Sequence, residues 1–280
     1  MKILITGADG ALGMTLQHVL HRENIQTIAT DIKQMDIADF KKVNEILQNH
    51  RPDAVIHCAA ISNVDECEQN KDLAMRVNAL GTLGLATISR RINARILYLS
   101  TNFIFDGSQE GPYDEYARPN PVNEYGHTKL LGEHYIKDAC DRYYIVRTSW
   151  LFGDRSKTFI SKFLQEKTKP ASIDVICDQF ASFTYIMDLA EAIVQIVKSD
   201  NYGIYHVVNT ECGSWLDFAI KAQDLMHFKT SLNPIKTEEL NLPATRPRYT
   251  PLASHTYKFL FNRSMRSWED ALASYIKSLV

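Results

Sequence analysis

The chain runs to 280 residues, with 31 Lys and Arg against 33 Asp and Glu and a formal net charge of −2. Its 45% hydrophobic content can fill a sizeable core and excludes disorder as the main state, while the near-neutral balance argues against nucleic acid as a partner. No stretch approaches the roughly 18 apolar residues of a membrane span. Five scattered cysteines (Cys58, Cys67, Cys140, Cys177, Cys212) without a C-x-x-C pair fit free thiols in a reducing, cytoplasmic setting.

Apolar runs and helical patterns alternate through the first half. Ile3 to Thr6 is a short apolar run, followed by a Gly-rich turn and a helical pattern from Ala11 to Arg22. Further strands are expected at 27–30, 54–57 and 95–100, with helices around 40–47 and 71–92. Continuously apolar strands separated by helices predict βαβ units and a parallel sheet covered on both faces. The stretch 107–124 breaks the rhythm. It is polar, holds Pro112, Pro119 and Pro121, and reads as a functional loop or a mobile one. A helix at 125–137 and a strand at 144–148 resume the pattern. Beyond Trp150, helices are expected at 159–166, 188–197, 215–225 and 268–279, with short strands near Asp174 and Tyr205. Pro234, Pro243, Pro247 and Pro251 mark an irregular stretch. The expected architecture is α/β, a Rossmann-like doubly wound parallel sheet with a smaller α/β carboxyl-terminal substrate lobe. The first domain takes 1–150, completed by parts of 185–210, and the lobe takes most of 151–280.

The segment Gly7-Ala8-Asp9-Gly10-Ala11-Leu12-Gly13 directly follows the first strand and opens a helix. Glycines there allow a tight turn, close approach of a pyrophosphate, and close helix–strand packing, and the helix amino terminus offers N–H groups to phosphate. The spacing is G-x-x-G-x-x-G rather than G-x-G-x-x-G. Gly7, Gly10, Ala11, Leu12 and Gly13 are therefore candidate cofactor contacts. Asp31 ends the second strand, where a carboxylate can accept hydrogen bonds from ribose hydroxyls and repel a 2′-phosphate. That favours NAD(H), but Lys33 nearby offsets the repulsion and leaves NADP(H) open.

Of the 13 tyrosines, only Tyr125 has a lysine four residues later. On a helix, Tyr125 and Lys129 share a face one turn apart. An ammonium there would lower the phenol pKa from about 10, so that the tyrosine can pass a proton to a carbonyl oxygen as hydride arrives. Ser100-Thr101 sits at the carboxyl end of a strand, where open α/β sheets place their ligands, and its hydroxyls can orient the same oxygen.

In this order, glycine turn, strand-end hydroxyl and Y-x-x-x-K helix resemble the extended short-chain dehydrogenase/reductase family. Further segments are similar to its dTDP-4-dehydrorhamnose reductase group: Asp36-Ile37, Arg51 to Ala60, Asn78-Ala79, Phe105-Asp106-Gly107, Arg147 to Trp150, Asp188-Leu189-Ala190 and Arg246-Pro247. The resemblance implies NAD(P)H-dependent reduction of the C4 ketone of a dTDP-linked deoxy sugar, the last step towards dTDP-L-rhamnose. It implies Tyr125 as proton donor, Lys129 as the residue holding the nicotinamide ribose, and Thr101 as the residue positioning the ketone. Asp36, Ile37, Ala59 and Ala60 would line the cofactor. Ser62, Val64, Asn102, Phe103 and Trp150 would face the sugar, and Arg246 would meet the diphosphate. A homodimer is left open, and no metal ligands carry over.

The chain departs from the group at two places. Ser100-Thr101-Asn102-Phe103 stands where the group has Ser-Thr-Asp-Tyr. The run from Asp178 to Thr184 has Phe180, Ala181 and Phe183 where the group has Asp-Gln-x-Gly-x-Pro-Thr. Sites that hydrogen-bond a hydroxyl discriminate strongly, so these changes bear on which sugar is taken. The alternatives are a reductase of another 4-keto nucleotide sugar and a non-catalytic NAD(P)-binding regulatory subunit of the same family. No H-E-x-x-H, Cys/His cluster or G-x-S-x-G supports a zinc or α/β-hydrolase chemistry.

Overall fold

Side chains alternate across a strand, so a strand buried on both faces must be apolar at successive positions. In the computed structural model, which describes residues 1–154 and 171–279, β1 (Lys2–Thr6) meets that condition. Ile3 and Ile5 enter one layer of core and Leu4 enters the other, and none of the three is exposed. The chain continues through α1 (Ala11–Arg22), β2 (Gln26–Thr30), α2 (Phe40–His50), β3 (Ala54–His57) and α3 (Val64–Gln69). Next come α4 (Lys71–Ala74), a π-helical stretch (Met75–Gly81), α5 (Thr82–Arg91), β4 (Arg95–Thr101), α6 (Glu124–Ala139) and β5 (Tyr143–Thr148). Then follow β6 (Leu151–Phe152), β7 (Ser172–Ile176), β8 (Phe180–Ala181), β9 (Thr184–Tyr185), α7 (Ile186–Lys198) and β10 (Gly203–His206). The last are β11 (Gly213–Ser214), α8 (Trp215–Met226), β12 (Ser231–Ile235), β13 (Tyr249–Thr250), α9 (His255–Phe261) and α10 (Trp268–Leu279).

The main sheet has six parallel strands in the order β10-β5-β4-β3-β1-β2. Strand order reverses between β1 and β3, and an open sheet leaves a ligand crevice at such a point beyond its carboxyl ends. One face is covered by α1 and α7 through Leu16, Val19, Leu189 and Ile193. The other is covered by α2, α5 and α6 through Val43, Leu47, Leu85 and Ile136. A separate core of Phe152, Phe183, Phe218, Trp268 and Tyr275 holds α8 and α10 against the short carboxyl-terminal strands. Ser214 and Asp217 form a capping box that starts α8.

Several elements differ from the sequence expectations. The helix expected at 159–166 lies outside the described residues. The stretch 107–124 is pinned down: Tyr113 bridges to Leu252 and exchanges backbone hydrogen bonds with Pro251 and Ala253. Asp106 gathers Ser108, Asn120 and Tyr113, and the Ser108 N–H is the main reason its carboxyl is held down to about 2. Within the stretch expected to be irregular, Pro234 lies in β12, which among the described residues pairs only with β7. A strand with one free edge tolerates a residue without an N–H. The short helices α3 and α9 are too brief to show a helical period in the sequence.

Candidate active site

The glycine turn brings β1 into α1 with Gly7 at φ 66°. Gly10 is the N-cap, no side chain caps the helix, and its first turn holds no acidic residue. That leaves an uncapped, electropositive helix end facing the crevice. A Cβ at Gly13 would lie 2.3 Å from Gly7 O and 2.8 Å from Ala8 Cα, so the helix can pass this close to the turn only without one. Ala11 is partly exposed beside the turn, whereas Leu12 is 5% exposed and belongs to the core. Ala59 and Ala60 are partly exposed just beyond β3, with Ala59 N donating to Thr6 Oγ1 at 3.1 Å. Asp31 is partly exposed past β2 and spends Oδ1 on the Ile32 N–H at 2.6 Å. Asp36 accepts from Ala38 N, and Ile37 is a core side chain, so its side chain offers a ligand little surface.

At the far side of the crevice, Asn123 caps α6 by accepting from Gly126 N at 2.9 Å. Gly126 lies directly against the turn after β4, where a Cβ would fall 2.1 Å from Phe103 O. This approach brings Tyr125 beside Thr101, whose hydroxyl works against burial on the phenol pKa. Thr101 Oγ1 also accepts from Phe103 N at 3.1 Å, and the Phe103 ring meets Tyr125 edge to face at 5.9 Å. Lys129 is buried one turn further on. Burial pushes the Tyr125 phenol up to about 12 and the Lys129 ammonium down to about 7, the latter opposed by Cys58 and Glu133. The expected lowering of Tyr125 by Lys129 is therefore corrected: desolvation dominates, and Tyr125 is a neutral phenol, which is a proton donor.

Other side chains stand differently from expectation. Asn102 is 1% exposed and gives its amide to Thr250 Oγ1 at 2.7 Å, so it links the two lobes and does not face the sugar. Arg246 is already held by Asp65 in a two-pronged ion pair, at 2.6 and 2.8 Å, and by Ala244 O, which takes up the charge expected to meet a diphosphate. Trp150 stacks on Trp215 at 4.1 Å and touches Phe183, giving an aromatic wall instead of a lone ring. Ser62 is exposed and Val64 partly exposed at the start of α3, whose N-cap is Asn63. Among the described residues no group of three or more His, Cys, Asp or Glu could hold a metal ion, and no helix is long and apolar enough to cross a membrane.

Sequence reasoning passed over Glu133. It is fully buried, takes a hydrogen bond from Ser100 Oγ at 2.5 Å, and pairs with Arg147 at 2.7 Å. Its position four residues after Lys129 on the same helix was the available signal. Thr250 gave no such signal, because its partner Asn102 lies 148 residues away in sequence.

An open dinucleotide turn facing a Thr–Tyr–Lys constellation across the end of a parallel sheet defines an extended short-chain dehydrogenase/reductase. The family model described as RmlD substrate binding domain matches residues 1–280, and the chain belongs to that family. It is 34% identical over 276 residues to the spore coat polysaccharide biosynthesis protein SpsK of Bacillus subtilis, covering 99% of this chain and 97% of that one. It is 33% identical to a dTDP-4-keto-6-deoxy-D-glucose reductase of Streptomyces niveus, covering 96% and 94%. A crystal structure of dTDP-4-dehydrorhamnose reductase from Bacillus anthracis in complex with NADP superposes with a TM-score of 0.96 at 36% identity, covering 99% of each chain.

Proposed function

We propose that this protein uses NADH or NADPH to reduce the C4 ketone of a dTDP-linked 6-deoxy sugar, with dTDP-4-dehydrorhamnose the leading substrate and dTDP-L-rhamnose the product. The observation that carries the proposal is the close packing of Tyr125 against the Thr101–Phe103 turn, with Lys129 buried one helical turn on, at the end of the crevice opposite the open helix α1. A reduced nicotinamide dinucleotide, when bound, supplies the hydride. The uncapped end of α1 would hold its pyrophosphate, and Asp31 would meet the adenosine ribose. Tyr125, neutral at pH 7, gives its proton to the ketone oxygen, which becomes the alcohol. The Thr101 hydroxyl holds that oxygen in line. The phenolate left on Tyr125 is stabilised by the Lys129 ammonium one helical turn away.

Phe103, Phe180 and the Trp150–Trp215 pair give the substrate side an aromatic character, and this favours a second reading within the same chemistry, a different dTDP-4-keto sugar. An absorbance assay of NADH and NADPH oxidation against a panel of dTDP-4-keto-6-deoxy sugars separates the two. The expected result is turnover with dTDP-4-dehydrorhamnose, lost by 10²-fold or more in Tyr125→Phe while dinucleotide binding persists. No oxidation with any member of the panel would end the reductase reading.

A further inference from the structure

The Lys129 ammonium lies 4.1 Å from the centroid of the Tyr98 ring. Tyr98 is fully buried and Lys129 is 3% exposed, so the charge meets the ring out of water, where such contacts are strongest. Tyr98 stands on β4 on the side covered by α6, and its hydroxyl donates to the Lys129 carbonyl at 3.3 Å. The same tyrosine is thus fixed to the backbone of the residue whose charge its ring faces.

The other groups around that ammonium come from three elements. Cys58 and His57 lie at the end of β3, Cys67 on α3, and Tyr125 and Glu133 on α6. Burial keeps Cys58 up at about 12, Cys67 at about 11 and Tyr125 at about 12, and holds His57 down at about 3, so all four are uncharged near pH 7. Glu133 is committed to Arg147 and Ser100. The π face of Tyr98 is therefore the electron-rich surface lying directly against the charge.

We infer that Tyr98 is a positioning residue whose ring holds the Lys129 ammonium in place and in its charged form. On the reductase reading, this support sets where Lys129 would meet the cofactor and the reacting phenol. The inference rests on the reductase reading for its kinetic consequence, but not for its physical test. Lys129 can be titrated by NMR in protein carrying ¹³C at the lysine ε-carbon, with Lys129→Met identifying the signal. Tyr98→Phe keeps the ring and should leave the midpoint close to wild type. Tyr98→Leu should lower it by about 1 to 1.5 pH units, the size expected of a desolvated cation–π contact. Should Tyr98→Leu fail to fold, phenylalanines with increasing ring fluorination at position 98 keep the shape while draining the π face, and the midpoint should fall stepwise. A midpoint indifferent to fluorination, or unmoved in a folded Tyr98→Leu, overturns the inference. In the reductase assay, the alkaline limb of kcat/KM should move to lower pH with the same midpoint. If the NMR midpoint moves but no 4-keto sugar is reduced by the wild type, the functional reading fails and the Tyr98–Lys129 contact stands.

Discussion

The amide of Asn102 donates to Thr250 Oγ1 at 2.7 Å, while its oxygen takes the Thr101 proton at 3.3 Å. Thr101 must release that proton to hold a substrate ketone, so Asn102 sets the resting orientation of the hydroxyl, and through β13 it ties that hydroxyl to the carboxyl-terminal lobe. Asn102→Leu fills the space but leaves two buried hydroxyls without their partner. That should cost about 1–3 kcal/mol in stability and lower kcat, with dinucleotide affinity unchanged because the glycine turn lies elsewhere. Asn102→Asp should keep kcat within about tenfold of wild type, since the Thr250 hydroxyl can turn and donate to a carboxylate. Thermal melts, dinucleotide titration and steady-state kinetics on the two variants check this. Similar losses in both variants would remove Asn102 from the orienting role.

At the scale of elements, the catalytic geometry depends on how closely α6 approaches the turn after β4. A Cβ at Gly126 would sit 2.1 Å from Phe103 O, a backbone atom that cannot swing aside. Gly126→Ala must push the start of α6 outward and pull Tyr125 away from Thr101. The expected outcome is a loss of roughly 1–3 kcal/mol, typical of overpacking, and a fall in kcat out of proportion to any change in dinucleotide affinity. Denaturant melts and kinetics on that variant read both effects. Much of this arrangement was legible in the sequence, because strand-end hydroxyls, a glycine turn and an i,i+4 Tyr–Lys pair are local patterns with fixed geometry. What was not legible is set by contacts far apart in the chain. Arg246 meets Asp65 across 181 residues, and nothing near either residue shows that the charge is already paired. Desolvation is likewise a property of the packed site: the expected lowering of the Tyr125 pKa rests on one neighbour in sequence and cannot weigh the burial that pushes the phenol up.

Across the whole molecule, two buried histidines join separate layers. His57 on β3 lies between Thr6 of β1 and Thr82 of α5, at 2.8 and 3.0 Å. Thr82 spends its own proton on Asn78 O, so His57 Nε2–H must donate to it, and Nδ1 is left to accept from Thr6. His206 on β10 faces the carbonyls of Tyr113 and Ala253 through Nδ1 and the Arg147 guanidinium through Nε2. Both rings serve as one donor and one acceptor, a state that only neutral imidazole provides. Burial accordingly holds both down to about 3, His206 also because of the Arg147 charge. In the unfolded chain each titrates near 6.5, so between pH 6.5 and 3 the unfolded state binds more protons than the folded one. The stability these groups contribute is complete above pH 6.5 and is lost as pH falls towards 3, roughly 3 kcal/mol apiece by pH 4. Melting temperature should therefore drop steeply from pH 6.5 to 4. His206→Gln retains a donor and an acceptor but no titrating ring, so it should flatten that slope by about half. Equal slopes in the variant and the wild type would show that the acid sensitivity over this range does not come from His206; the carboxylates of Asp65 and Asp106, held below the usual range, lose their contribution only below about pH 4.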